Sequence, residues 1–277
     1  MLKYLPYITA IRNGQVLTLP EKPVLKMGFF DDMMNPISPD QSDITEGIAV
    51  IPLTGVMTRS GSWWDYGTDD IADMMDEAFQ NDAIQAIVLR TNSPGGSVDS
   101  IFPLKASLQR NKKNKNKPVY GAVDSDGMSC AYYALSFCDK IFAIDNMASV
   151  GSIGVMANWV NYNKMYKDLG IELIEVVPPE SKWKNLVSRE ANKGKMELLI
   201  TEELTPWAFH FQQTVRANRP NLNESIEGTL EGRTFFAKYG EVNAMANGLI
   251  DDIMPFDDII QYAFTQSKNQ KIKGLFN

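Results

Sequence analysis

The chain has 277 residues, 44% of them apolar and 22% charged, and a formal net charge of −7. That is the composition of an ordinary globular protein long enough to bury a substantial core. The acidity argues against nucleic acid or an anionic membrane as the main partner, since both demand a basic face. Cys130 and Cys138, the two cysteines, sit about 12 Å apart along one expected helix, too far for a disulfide. They read as small buried apolar residues. No stretch is long and apolar enough to span a membrane. The opening MLKYLPYITAIRNGQ lacks the apolar core of a signal peptide, so the expected address is the cytoplasm, with no membrane anchor.

In chain order, residues 1–46 read as an N-terminal arm and linker. Apolar runs at 4–11 and 16–19 flank the turn signal Asn13-Gly14, and 31–46 is polar, proline-containing and aperiodic. A main domain is expected over 47–260 and a polar C-terminal tail over 261–277. Residues 48–56, IAVIPLTGV, predict a strand buried on both faces. The loop 60–68 carries Trp63, Trp64 and Tyr66, an apolar set suited to an interface or a substrate cleft. Asp69 and Asp70 open a helix with Ile71, Met74, Met75, Ala78 and Phe79 on one face. A strand at 83–90 leads into the turn TNSPGGSV and a helix started or interrupted by Pro103. The run NKKNKNK at 111–117 reads as solvated loop. A strand at 119–123 closes in the polar turn Asp124-Ser125-Asp126-Gly127, and a helix starts at Ser129. Beyond it come a helix near 159–169, a strand at 171–177, a loop to 191, and a long helix over 195–219 that Pro206 kinks or divides. A short helix and a terminal strand follow between 228 and 253. Strands alternating with helices make the chain α/β.

A serine at a strand–turn–helix junction sits at a helix N-terminus, where backbone N–H groups and the helix dipole favour developing negative charge. The pentad Gly127-Met128-Ser129-Cys130-Ala131 matches the nucleophile elbow G-x-S-x-G except for its last glycine, and it equally suits a plain N-cap. Gly95-Gly96 follows a buried strand directly. Such a pair serves either to aim N–H groups into a site or to make a tight turn. His210, the single histidine, lies between Phe209 and Phe211, a setting that suits a structural or surface residue better than a triad member. Lys182 and Lys184 offer another base, since burial lowers a lysine pKa towards neutrality and Ser-Lys dyads exist.

Six motifs in order then carry a resemblance: IAVIPLTGVM, AIVLRTNSPGGSV, DGMSCAYYAL, ASVGSIGV, ESKWKN and EGRTFFAKYGEVNAMANGLIDDI. Over roughly 47–253 the sequence resembles the S49 serine peptidases, the signal-peptide-peptidase A family. The resemblance implies a Clp protease/crotonase-like fold of repeated ββα units. It makes Ser129 the nucleophile and Lys184 the general base, with Ser152 orienting the lysine and Gly95, Gly96 and the N–H of Cys130 at the oxyanion hole. The glycine of the motif around the lysine is missing here, so Lys182 stays a rival to Lys184. Neither cofactor nor metal is implied. Within the family, the missing anchor and the arm YITAIRNGQV are similar to the head-maturation proteases of tailed phages. That implies a polypeptide substrate, a capsid or scaffold protein for example, a homo-oligomer, and a host cytoplasm or prohead location. The alternatives are a soluble peptidase similar to signal peptide peptidase A, an inactive capsid-assembly scaffold of the same fold, and a crotonase-type acyl-CoA enzyme.

Overall fold

A computed structural model describes residues 28–30, 36–37, 47–61, 66–115 and 117–274. The expected arm runs at 4–11 and 16–19, most of the linker, and Trp63 and Trp64 lie outside the described residues. The first strands are β1 (Gly28–Phe30), β2 (Pro36–Ile37) and β3 (Gly47–Thr54), followed by α1 (Thr68–Gln80) and β4 (Ile84–Ser93). Next come α2 (Ile101–Lys115), β5 (Val119–Met128), α3 (Cys130–Leu135), β6 (Lys140–Ala143), β7 (Ser149–Gly151) and α4 (Asn163–Asp168). The chain continues through α5 (Leu186–Asn192), α6 (Thr205–Asn218), β8 (Thr234–Phe236), β9 (Asp252–Ile253) and α7 (Phe256–Gly274).

Among the described residues these strands form one sheet in the order β2-β1-β3-β4-β5-β6-β9, with β7 and β8 branching from β5. The pairs from β3 through β6 to β9 are parallel, while β1 joins β3 antiparallel. Alternation along the central strands explains the layers, because successive side chains point to opposite faces. Ala49, Ile51 and Leu53 of β3 face the larger core with α1, α2 and α3. Ile48 and Val50 face the opposite core, closed by Ile259, Ile260, Ala263 and Phe264 of α7. This is the α/β class that the sequence implied.

Several elements differ from expectation. The Asp124-to-Gly127 turn is instead the second half of β5, because Asp126 to Met128 pair with β7. The lysine/asparagine run is mostly helix: α2 continues to Lys115, and Asn111 is buried on Ser107. The long helix is divided where Pro206 sits, a π-helical turn Leu199–Leu204 running into α6. Residues from 261 to 274, expected as polar tail, complete α7, which buries Ala263 and Phe264 against the sheet. The strand expected at 171–177 does not form. That run has no neighbouring strand among the described residues, and Leu173, Ile174 and Val176 are exposed.

Candidate active site

β5 splits the sheet. Its first half pairs with β6 through Val123↔Ala143, and its second half pairs with β7 through Met128↔Gly151. Ser129 follows β5 and Ser152 follows β7, so the two serines leave the same end of two adjacent parallel strands. Neighbouring strands lie about 4.8 Å apart. Both serines adopt positive φ, 53° for Ser129 and 51° for Ser152, a conformation that non-glycine residues avoid and that clusters at functional sites. The junction is held from both sides. The Ser129 N–H donates to the Gly151 carbonyl at 2.9 Å, the Tyr133 N–H donates to the Ser129 carbonyl at 2.9 Å, and the Ser152 N–H donates to Arg233 at 2.9 Å.

The glycine pair lies against this junction. A Cβ on Gly95, at φ +92°, would stand 2.7 Å from the Ser129 Cβ and 3.0 Å from the Cys130 nitrogen. Only a glycine lets the two backbones approach so closely. The Gly95 N–H is already committed to the Ser93 hydroxyl at 3.1 Å. Gly96 bridges Met57 in parallel, where the Met57 N–H uses the Gly95 carbonyl and the Ser97 N–H uses Met57. The Gly96 carbonyl receives the Cys130 thiol at 3.5 Å. In an extended residue N–H and C=O project to one side, so the Gly96 N–H also faces the start of α3. Among the described residues, neither the Gly96 N–H nor the Cys130 N–H, the first of its helix, has a backbone acceptor. Burial pushes the Cys130 thiol up, which keeps it protonated and a poor competitor to Ser129 as nucleophile.

Ser129, Cys130, Ser152 and Gly96 share a cleft of about 420 Å³, walled by Ile101, Tyr133, Trp207 and Phe211 and rimmed by Glu231. His210 also lines it. One ring nitrogen, Nε2, lies 3.1 Å from the Tyr133 hydroxyl. Burial, with help from the charge of Lys105, moves the His210 pKa below its ordinary value, so the ring is neutral at neutral pH. Sequence reasoning missed the wall residues and weighed His210 as structural or surface. One signal was available: Tyr133 stands four residues after Ser129, on the same helical face.

Lys182 and Lys184 are not brought to this cleft. Both are exposed, in a turn that follows Pro179–Ser181, and the Lys184 N–H donates to the Ser181 carbonyl at 2.8 Å. Trp183 between them is 63% exposed. Among the described residues, no cluster suited to a metal ion occurs and no helix is long and apolar enough to cross a membrane.

Curated relatives are distant. A putative signal peptide peptidase SppA of Enterococcus faecium is 24% identical over 77% of this chain and 61% of its own length. Protease 4 of Haemophilus influenzae is 24% identical over 87% of this chain and 38% of its own. The head-tail preconnector protein GP5 of Enterobacteria phage P21 is 27% identical over 47% of this chain and 26% of its own. The chain thus spans less than two thirds of the length of each. The model of peptidase family S49 matches residues 111–270, more than half of the 277, and covers α3, Ser152 and the exposed lysines, so this chain belongs to peptidase family S49.

Proposed function

We propose that the protein is a serine endopeptidase that attacks peptide carbonyls through Ser129. The observation that carries this reading is the strained Ser129 at the head of α3, beside the N–H groups of Gly96 and Cys130, neither of which has a backbone acceptor among the described residues. Two such donors stabilise the oxyanion of a tetrahedral intermediate, which is worth about 3 kcal/mol per donor. Gly95 serves through its lack of a side chain. The Ser129 oxygen bonds to the carbonyl carbon as its proton passes to the base, and the amine leaves with a proton to give an acyl-enzyme. Water activated by the same base then releases the acid.

Lys184 is the base we favour, with Ser152 orienting it. In the single chain Lys184 lies on an exposed stretch that also bears Leu173, Ile174, Val176 and Trp183. Packing of that stretch against a second copy buries the apolar side chains and, with them, the lysine, and burial favours its neutral form. The substrate is a polypeptide. The similarity to a phage head-tail preconnector protein supports a capsid or scaffold substrate in a phage or prophage setting; the similarity to SppA supports the alternative of a peptidase that degrades peptides.

A serine-directed fluorophosphonate and a peptide-cleavage assay test the reading together. Ser129→Ala is expected to lose labelling and at least about 10³-fold in kcat/KM while staying folded. Lys184→Ala is expected to lose activity and the alkaline-rising limb of the pH–rate profile, and Lys182→Ala to keep both. Turnover near wild type in folded Ser129→Ala sinks the assignment. An active Lys184→Ala moves the base elsewhere.

A further inference from the structure

We infer that His210 is a specificity-determining residue, which makes the cleft favour tyrosine over phenylalanine at the residue whose carbonyl Ser129 attacks. The inference rests on the peptidase reading and adds a preferred substrate side chain to it.

The geometry starts from the nucleophile. Tyr133 lies one helical turn beyond Ser129, about 6 Å along the axis of α3. A peptide whose carbonyl carbon rests at the Ser129 hydroxyl, with its oxygen towards Gly96 and Cys130, therefore sends the adjacent side chain along the Tyr133 wall. That wall is aromatic. Phe211 packs edge-on to Tyr133 with centroids 5.3 Å apart, and Trp207 meets His210 edge-on at 6.1 Å. Ile101 also lines the cleft. Flat apolar walls of this kind take a ring, and aromatic pairs gain beyond the area they bury.

While Glu231 also lines the cleft, His210 brings a polar ring among these aromatic side chains. Its ring is fixed, not free. Nε2 is engaged by the Tyr133 hydroxyl at 3.1 Å, and the His210 carbonyl accepts the Thr214 hydroxyl at 2.9 Å, with that hydroxyl also 3.3 Å from Tyr133. The second ring nitrogen, Nδ1, has no hydrogen-bond partner among the described residues and is not among the buried polar atoms left unpaired, so solvent reaches it, on a ring that lines the cleft. A pocket that offers one fixed polar atom among rings rewards a ring bearing a hydroxyl. It penalises the same ring without one, which leaves the nitrogen covered and unpaired.

The test uses two peptides that differ only in tyrosine or phenylalanine at the cleaved position. Wild type is expected to prefer tyrosine by about fivefold or more in kcat/KM, the worth of one net hydrogen bond. His210→Leu is expected to bring the ratio to about one, and His210→Gln, which keeps a side-chain hydrogen-bonding group, to restore part of it. A purely structural role for His210 would lower both rates and leave their ratio unchanged. Calorimetric binding of the same peptides to Ser129→Ala gives a readout that needs no turnover, and the same ratio is expected there. Equal values for the two peptides in wild type, or a preference that survives His210→Leu, overturn the inference. If neither peptide is cleaved and the fluorophosphonate leaves Ser129 unlabelled, the peptidase reading falls. The binding ratio then decides on His210 alone, and equal binding or no binding overturns it.

Discussion

Gly96 is where a single added carbon would cost most. A Cβ there would lie 1.8 Å from the Met57 carbonyl oxygen and 2.6 Å from the Met57 nitrogen, both backbone atoms of the bridge that holds the glycine turn to the end of the sheet. No rotamer change relieves a clash with backbone. Gly96→Ala must therefore push the turn away from Met57, which moves the Gly96 N–H relative to Ser129. The expected result is a loss of about 10²-fold or more in peptide cleavage, the size seen when one oxyanion donor is misplaced, with a lowered thermal midpoint. A kinetic and calorimetric comparison with wild type checks it. The residue scale also explains why Gly95-Gly96 was readable without coordinates. Two glycines directly after an apolar strand have few uses, and close backbone approach is one of them. Their division of labour was not readable, because it depends on the hydroxyl of Ser93, which takes the Gly95 N–H from 3.1 Å away.

At the scale of elements, the strands and helices of the sheet core follow the hydrophobic pattern closely, and the segment after β7 does not. Residues 171–177 have the composition of a strand, yet Ile174 is 75% exposed and Val176 85% exposed. A strand is completed by a neighbour, and the described residues supply none there. So large a run of exposed apolar side chains marks an interaction surface, and the reading proposed above gives it to a second copy. Light scattering at tens of micromolar, a rough choice suited to weak contacts, is expected to report a multiple of the chain mass. Ile174→Asp combined with Val176→Asp is expected to return the monomer, and to lower activity with it if Lys184 is set in place by assembly. A wild-type monomer under these conditions removes the argument. The element scale also accounts for the misread turn at the end of β5. Asp124, Ser125 and Asp126 are turn formers in isolation, and the strand continues through them because β4 pairs with Val123 and Gly127 on either side of them and β7 pairs with Asp126 to Met128.

For the molecule as a whole, one ion pair ties the last strand to the body of the fold. Asp251 accepts from Arg219 of the α6 terminus at 2.7 Å, from the Ile141 N–H at 2.8 Å and from Lys140 at 3.2 Å. Arg219 also donates to the Gly248 carbonyl at 2.9 Å. Burial by itself would raise the Asp251 pKa, and the Arg219, Ile141 and Lys140 contacts outweigh it, so the carboxyl is held below its ordinary value. A group depressed in the folded state contributes stability above its unfolded pKa and loses it as pH falls through the folded value. Asp251→Asn leaves Arg219 buried without its counter-charge and is expected to cost about 3 kcal/mol in urea unfolding at pH 7. The gap to wild type is expected to close as the pH is taken well below 4, roughly the unfolded carboxylate pKa. A gap that stays constant with pH contradicts this account.

The sequence by itself determined the α/β class, the buried core strands, the family resemblance and the serine at the head of a helix, because each rests on local residue order: alternation, buried apolar runs, glycine turns and a serine at a helix start. Tertiary structure alone decided what stands around that serine. Ser152 comes beside it because β7 pairs with the split half of β5, Tyr133 and His210 wall the same cleft because α6 packs across α3, and the lysines stand apart in an exposed turn. The reason is physical. Periodicity records which face of an element turns inward, whereas the neighbours a residue meets there are set by chain segments far away in the sequence.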